Sequence, residues 1–232
     1  LFPYTTLFRS KMAIDGSEHL TLVAAEEQCA GRGRFGRPFY SPARTGIYMS
    51  LLLRMPQQLS DASMITIYAA VAVHRVLKQL YQADTQIKWV NDIFYEGKKL
   101  CGILCEAISD FESGRLEAVV VGIGLNTTTM TFPEELKEIA TSLRIQAVNR
   151  NELIACIVNE LLALQREEQS IVLAQYREAS LVLHKEITWL QNGKQLCGYV
   201  KDINAVGNLI VESEDTTYIL SSGEVSVKAV TA

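Results

Sequence analysis

Short apolar runs, typical of buried or half-buried strands, dominate the first half of the chain. Several alternate apolar and polar residues, and others are almost continuously apolar, which is the pattern of a strand covered on both faces. Strands are predicted over residues 19–26, 46–53, 98–106 and 116–125, and a further apolar strand is predicted at residues 87–89.

Helical spacing appears in two regions. Over residues 61–81, apolar side chains recur every three or four positions, Asp61 can cap the first turn, and the apolar residues 69–73 fill much of the remaining circumference. This helix is therefore predicted to be packed on more than one side. A second helix is predicted from a cap at Asn149 to about residue 168, and a third continues to residue 183.

From residue 185 the pattern changes to short strands separated by tight turns. Asn192-Gly193 and Gly207-Asn208 lie between alternating runs, and this is a strong hairpin signal. The sequence predicts an α+β protein with two domains: residues 1–184 form a larger domain of sheet and helices, and residues 185–232 form a small β-barrel.

Composition narrows the class of protein. The chain has 232 residues, of which 48% are hydrophobic, so it can bury a substantial core. Its apolar runs are far shorter than the roughly 20 residues of a membrane span, so no membrane partner is expected. The five cysteines follow no disulfide or zinc pattern, which favours reduced thiols in the cytoplasm.

Residues 26–37 form a glycine-rich segment with three arginines. No acidic residue lies between Glu27 and Asp61. Glycines let backbone amides approach a ligand, and arginines hold carboxylates and phosphates, so the segment favours an anion. A plain surface turn is the alternative. A Rossmann fingerprint is excluded because Pro38 and Pro42 prevent the helix that it needs. A kinase loop is excluded because the kinase catalytic motifs are absent.

Three other residues attract notice. Lys88 lies within an apolar run, where an unpaired ammonium is costly, so it needs an anionic partner. Gly122 and Gly124 share one face of a strand and leave room there, either for a flat ligand or for a close contact with another element. The three histidines are solitary, and none is assigned a chemical role.

Four segments resemble, in order, the motifs of the biotin protein ligases: GRGRFGR at 31–37, KWVND at 88–92, CGIL at 101–104 and GIGLN at 122–126. The resemblance implies a catalytic domain similar to class II aminoacyl-tRNA synthetases, with a mixed sheet and helices, followed by an SH3-like barrel. Many members add an N-terminal helix-turn-helix, which is not visible in this sequence.

The resemblance implies that biotin and ATP, with Mg²⁺, give biotinyl-adenylate, and that a lysine of a biotin carboxyl carrier protein then receives the biotin. No metal ligand is assigned. Lys88 and Arg34 are implied to be catalytic, Gln28 to contact biotin and Asn126 to meet the adenine. The full set of implied substrate contacts is Gln28, Gly31, Arg32, Gly33, Arg34, Phe39, Lys88, Gly122, Gly124 and Asn126.

The chain departs from the family pattern at three places. Val90 replaces the usual Pro of KWPND, and Phe39 stands where Trp is common. The family's Ser-Thr-Asn substrate motif is absent near the N-terminus, where Thr5 and Thr6 are the nearby threonine hydroxyls. We interpret residues 1–10 as foreign or truncated sequence that replaces this motif.

Two other functions stay open. A lipoate or octanoate ligase shares the catalytic architecture, although the GRGRxGR loop argues against it. A ligand-sensing regulator or nucleic-acid binder has only the arginines in its favour, and the C-terminal segment holds four lysines against six carboxylates, so no nucleic-acid partner is expected. A homodimer is compatible with the sequence.

Overall fold

The computed structural model describes residues 15–54, 62–109, 116–145 and 147–228. The predicted cap at Asp61, the residues Thr5 and Thr6, and the whole segment interpreted as foreign sequence lie outside these ranges. Within them the chain forms an α+β fold with two sheets and three α-helices. None of these helices is long and apolar enough to cross a membrane.

The first sheet has six strands in the order β1-β2-β6-β5-β4-β3, and its strand pairs are antiparallel. Parallel pairing occurs at two isolated bridges, Ile87 with Ser180 and Lys99 with Ala140. The strands are β1 (Leu22–Ala25), β2 (Gly46–Arg54), β3 (Gln86–Lys88), β4 (Asp92–Tyr95), β5 (Lys98–Ser109) and β6 (Leu116–Asn126).

The apolar strand predicted at Ile87, Lys88 and Trp89 is present but ends one residue earlier, at Lys88. Residues 86–95 form the hairpin of β3 and β4, in which Lys88 pairs with Asp92. The reversal falls at residues 89–91, and the peptide bond between Trp89 and Val90 is cis. Trp89 and Ile93, on either side of this turn, are both core residues, with 4% and 0% of their surface exposed.

The three helices are α1 (Ala62–Tyr81), α2 (Arg150–Leu164) and α3 (Gln169–Glu178). Residues 65 and 69–73 of α1 are no more than 1% exposed, because the helix packs between the sheet and the other two helices. The predicted packing of α1 on more than one side is confirmed. Asn149 caps α2 through its side chain, but α2 and α3 end earlier than predicted, at Leu164 and Glu178.

The second sheet has five antiparallel strands in the order β10-β9-β8-β7-β11, and we call it the C-terminal sheet. Both predicted glycine turns are present, and Gly193 and Gly207 have φ angles of 73° and 82°. Its strands are β7 (Glu186–Gln191), β8 (Lys194–Ile203), β9 (Leu209–Ser213), β10 (Thr216–Leu220) and β11 (Val225–Val227).

The helices cover one face of the six-stranded sheet, and strand alternation decides which side chains face the other way. In β2, Ile47, Met49 and Leu51 join the core beneath the helices. Tyr48 lies between them in sequence and therefore points to the opposite face, as does its partner Gly124 in β6. This opposite face carries the candidate site.

Candidate functional site

A cavity of about 480 Å³ lies on the helix-free face of the six-stranded sheet. Its walls come from the arginine-rich loop, the β3–β4 hairpin, strands β5 and β6, the segment 132–140, and Gly223 and Glu224 in the connection between β10 and β11. The structure thus brings together residues from distant parts of the sequence. The predicted residues that line the cavity are Gln28, Arg32, Gly33, Arg34, Phe39, Lys88, Gly122, Gly124 and Asn126.

Gly31 is the remaining predicted residue, and it shapes the loop rather than lining the cavity. Its carbonyl accepts a hydrogen bond from the backbone N–H of Phe39 at 2.8 Å. A Cβ atom at position 31 would lie 2.5 Å from the Phe39 carbonyl oxygen, which no side chain tolerates. Glycine is required here because two backbone segments meet.

The arginine-rich loop presents Arg34 from a short 3₁₀ turn, Arg34–Gly36. The Arg34 guanidinium donates to Asn91 Oδ1 at 3.2 Å and to the Gly223 carbonyl at 3.3 Å, and it lies 5.0 Å from the centroid of the Phe35 ring. Arg37 forms an ion pair with Glu224 at 2.5 Å. The loop is thus tied both to the hairpin that carries Lys88 and to the C-terminal sheet.

Lys88 lines the cavity, and Ile87, its neighbour in β3, is 0% exposed and belongs to the core, as strand alternation requires. Its ammonium lies 5.5 Å from the centroid of the Phe94 ring, and no carboxylate within the described ranges forms an ion pair with it. Asp92, directly opposite in the hairpin, instead pairs with Lys99 at 2.8 Å. The Lys88 charge is therefore available to an anionic ligand.

Phe39 covers part of the glycine-lined floor. A Cβ atom at Gly124 would lie 2.6 Å from the Phe39 ring, and one at Gly102 would lie 3.4 Å from it. The space over Gly124 is thus occupied by an aromatic side chain from the arginine-rich loop. Both Gly122 and Gly124 line the cavity, and of the two alternatives a close contact with another element applies at Gly124.

Asn126 ends the floor with an unpartnered acceptor. The residue is 4% exposed, and its Nδ2 donates to the Thr141 carbonyl at 3.0 Å, which fixes the orientation of the amide. Its Oδ1 is buried, and no donor within the described part of the chain reaches it. A buried acceptor without a donor is costly, and this one belongs to a residue that lines the cavity.

Two further polar residues support the loop. The Gln28 amide donates to Ser41 Oγ at 3.2 Å. Tyr48 lies edge-on to Phe39, with 6.5 Å between ring centroids, and donates its hydroxyl to the Pro42 carbonyl at 3.0 Å. Burial raises the pKa of Tyr48 to about 12, so the phenol stays protonated and remains a donor.

Sequence reasoning missed several lining residues. Asn91 and Asp92 belong to KWVND, and Lys99 is the second residue of the next strand, so the motif and the strand pattern could have indicated them. Gly223 and Glu224 carry no such signal, because their place in the site depends on how the C-terminal sheet packs. Within the described ranges, no group of three or more His, Cys, Asp or Glu residues is placed to hold a metal.

Proteins of known family share the sequence pattern and the fold of this chain. The model of the biotin/lipoate A/B protein ligase family matches residues 3–126. A biotin acetyl-CoA-carboxylase ligase of Mycobacterium tuberculosis is 34% identical over 226 residues, covering 91% of this chain and 79% of that one. The bifunctional ligase/repressor BirA of Bacillus subtilis is 39% identical over 158 residues.

The chain covers 48% of the Bacillus subtilis protein, so it spans about half the length of that relative. Among solved structures, the biotin protein ligase of Aquifex aeolicus in complex with biotin and ATP superposes with a TM-score of 0.80 at 24% identity, covering 95% of this chain and 94% of that chain. This likeness shows the fold. From the match over residues 3–126 and the Mycobacterium relative, the chain belongs to the biotin/lipoate A/B protein ligase family.

Proposed function

We propose that the protein is an ATP-dependent biotin protein ligase, which activates biotin as biotinyl-adenylate and transfers it to a lysine of a biotin carboxyl carrier protein. One observation carries the proposal: Arg32, Arg34 and Lys88, from two distant segments, line the same cavity as Asn126, whose buried Oδ1 has no donor among the described residues. The cavity thus offers cations for a carboxylate and a phosphate, together with an acceptor for an adenine amino group.

In the first step, a carboxylate oxygen of biotin attacks the α-phosphorus of ATP, and the bond from that phosphorus to the pyrophosphate oxygen breaks. Two anions must meet, so positioned cations are needed to offset their repulsion and the charge that grows on phosphorus. Lys88 suits this role because it has no ion pair with a carboxylate among the described residues. Arg34 approaches from the facing loop, held by Asn91.

Asn126 supports the choice of an adenine nucleotide. The exocyclic amino group of adenine is a donor, and asparagine amides recognise it through their carbonyl oxygen. Nδ2 of Asn126 already donates to the Thr141 carbonyl, whereas Oδ1 is an acceptor with no donor among the described residues. Phe39, against Gly124 on the same floor, offers an aromatic surface beside it.

In the second step, the neutral amine of an acceptor lysine attacks the acyl carbon of the mixed anhydride and forms an amide. The bond from that carbon to the phosphate oxygen breaks, AMP leaves, and the amine releases a proton. Alignment of the two reactants, and exclusion of water that would hydrolyse the anhydride, are the main requirements. The arginine-rich loop suits this role because it covers the cavity and is held on two sides.

The comparisons favour biotin over lipoate. The family model covers both kinds of ligase, but the Mycobacterium relative is named a biotin ligase and the Aquifex structure was determined with biotin and ATP. The test is ATP–pyrophosphate exchange with biotin, lipoate or octanoate as the only added acid. Exchange that requires biotin supports the proposal, whereas exchange only with lipoate or octanoate assigns the alternative function.

The proposal has finer parts that await their own tests. Residues 1–184 form the catalytic domain, and residues 185–232 form an SH3-like barrel, of which the C-terminal sheet is the described part. Mg²⁺ would accompany ATP and offset the charge of its phosphates. Asp92 and Glu138 line the cavity, but Asp92 is paired with Lys99 and Glu138 with Lys98, so no metal ligand is assigned. The five cysteines are free, which suits the cytoplasm.

A further inference from the structure

We propose that Trp89 is a positioning residue through which the C-terminal sheet holds Lys88 in place; this inference rests on the proposed function. Trp89 follows Lys88 directly and is 4% exposed. Its indole Nε1 donates a buried hydrogen bond of 2.9 Å to the carbonyl of Gly207, which lies in the turn between β8 and β9. The residue next to Lys88 is therefore bound to the C-terminal sheet.

The turn that accepts this hydrogen bond is internally braced. The side-chain oxygen of Asn204 accepts from the backbone N–H groups of Val206 at 3.0 Å and Asn208 at 2.9 Å. The N–H of Gly207 donates to the Asn204 carbonyl at 3.0 Å. Because these bonds fix the backbone of residues 204–208, the Gly207 carbonyl is a rigid acceptor.

The turn is also seated on α3. Gln169, at the start of that helix, donates to the Ala205 carbonyl at 2.7 Å. Arg177, near its end, donates to the Ile203 carbonyl at 2.8 Å. These two bonds fix the height of the turn over the helices that support the six-stranded sheet.

Gly207 has no room for a larger residue. Its φ angle is 82°, which disfavours side chains, and a Cβ atom would lie 2.2 Å from Cδ1 of Ile67 in α1. Ile67 is 1% exposed and therefore has little freedom to move. The turn thus approaches α1 closely enough to bring its carbonyl to the Trp89 indole.

The opposite side of the hairpin turn is anchored separately. The Val90 carbonyl accepts from the Tyr176 hydroxyl at 3.0 Å, and Asn91 exchanges hydrogen bonds with Ile103 of β5 at 2.7 and 2.9 Å. These contacts hold the two residues after Trp89. The Lys88 ammonium lies against the Phe94 ring, which is a weak and non-directional contact, so its placement depends on the backbone that the Trp89 indole anchors.

The test compares two matched substitutions. Trp89→Phe removes the indole N–H that reaches Gly207, and Trp189→Phe removes an equivalent N–H that donates to Gln191 within the C-terminal sheet. Amide hydrogen exchange is measured by mass spectrometry on the full chain. We expect exchange of residues 87–91 to rise about ten-fold in Trp89→Phe and to stay at the wild-type rate in Trp189→Phe.

The second readout is a double-mutant cycle on the single-turnover rate of biotinyl-adenylate formation. If Trp89 acts through Lys88, Trp89→Phe should slow the wild-type protein about ten-fold and slow the Lys88→Ala variant less than about two-fold. A merely structural role predicts the same loss in both backgrounds.

Each outcome decides the matter. Unchanged amide exchange at residues 87–91 in Trp89→Phe would overturn the inference, and so would an equal rise across β2 and β6, which indicates general destabilisation. Equal rate losses in the two backgrounds would also overturn it. If the wild-type protein forms no adenylate, the proposed function fails, while the amide measurement still decides whether Trp89 anchors the hairpin.

Discussion

Lys88 lines the cavity and forms no ion pair with a carboxylate among the described residues, so it can bind an anionic ligand. Its nearest carboxylate in the hairpin, Asp92, is already paired with Lys99, and the ring that it contacts, Phe94, supplies only a weak attraction. A surface lysine would gain little from an ion pair, but one that faces a cavity can apply its charge to a reaction that concentrates negative charge there.

We expect Lys88→Ala to slow biotin-dependent ATP–pyrophosphate exchange by about two to four orders of magnitude, because a positioned charge that acts in the transition state is lost. Lys98→Ala is the matched control, since Lys98 points to Glu138 and the Lys137 carbonyl and does not line the cavity. Near wild-type exchange in Lys88→Ala would make Lys88 a structural residue.

His74 is a second residue whose environment has a measurable consequence. It lies on α1, half-buried, and its Nδ1 is 2.8 Å from the Thr85 hydroxyl. Burial, followed by the nearby Lys78 ammonium, lowers the pKa of His74 below its usual 6.5, although Asp84 and Glu178 act in the opposite direction. The folded protein therefore favours the neutral ring.

The sign of the pH effect is set by this lowered pKa. Below about pH 6.5 the unfolded chain binds a proton that the folded protein resists, so this contribution to stability is present above that pH and is lost as the pH falls below it. Urea unfolding at pH 7.5 and pH 5.5 should show a larger drop in free energy for the wild type than for His74→Gln. Identical drops would mean that the histidine does not titrate differently on folding.

At the scale of elements, Arg75 joins the three helices. From α1, its guanidinium pairs with Glu160 of α2 at 2.7 Å and with Glu167 at 2.9 Å, and it donates to Gln175 of α3 at 2.5 Å. Both ion pairs are about two-thirds shielded from solvent. Helix propensity cannot fix how helices pack, so this network contributes to the specific arrangement of α1, α2 and α3.

Removing the central cation should therefore be costly. Arg75→Met leaves Glu160 and Glu167 near each other without compensation, and we expect the free energy of unfolding to fall by about 1–3 kcal/mol. Arg166→Met is the control, because Arg166 is exposed just beyond the end of α2. Chemical denaturation measures the free energy of unfolding of the two variants. Equal values would show that the network stabilises the protein no more than an exposed ion pair does.

At the scale of the whole molecule, the C-terminal sheet completes the cavity. Gly223 accepts from Arg34 and Glu224 pairs with Arg37, so two arginines of the loop are held by a segment that follows them by almost the whole length of the chain. The Arg37 and Glu224 side chains are 66% and 46% exposed, and such a pair contributes little to stability. The ion pair should instead keep the arginine-rich loop ordered.

We expect Glu224→Lys to increase amide exchange of residues 32–37 about three-fold or more, while the free energy of unfolding changes by less than about 1 kcal/mol. Glu212→Lys is the control, since it breaks the ion pair with Lys201 in the same sheet without touching the loop. An unchanged loop in Glu224→Lys would mean that Arg34 and its bond to Gly223 suffice to hold it.

Local patterns in the sequence determined most of the elements and the chemistry of the cavity. Helix α1, the central strands and the glycine turns of the C-terminal sheet follow from hydrophobic spacing and from residues with special backbone freedom, which act over a few positions. The same holds for the candidate residues: Lys88 in an apolar run and arginines among glycines are unusual enough to identify without coordinates.

The tertiary structure alone decided which of these residues meet. The apolar residues around Lys88 do not indicate that β3 pairs with β4 or that Lys88 lies opposite Asp92. The filling of the Gly124 face by Phe39, the unpartnered oxygen of Asn126, and the contacts of Gly207 and Gly223 depend on packing between segments far apart in the chain. Such contacts have no periodicity in sequence, since they are set by the shapes of the surfaces that fold together.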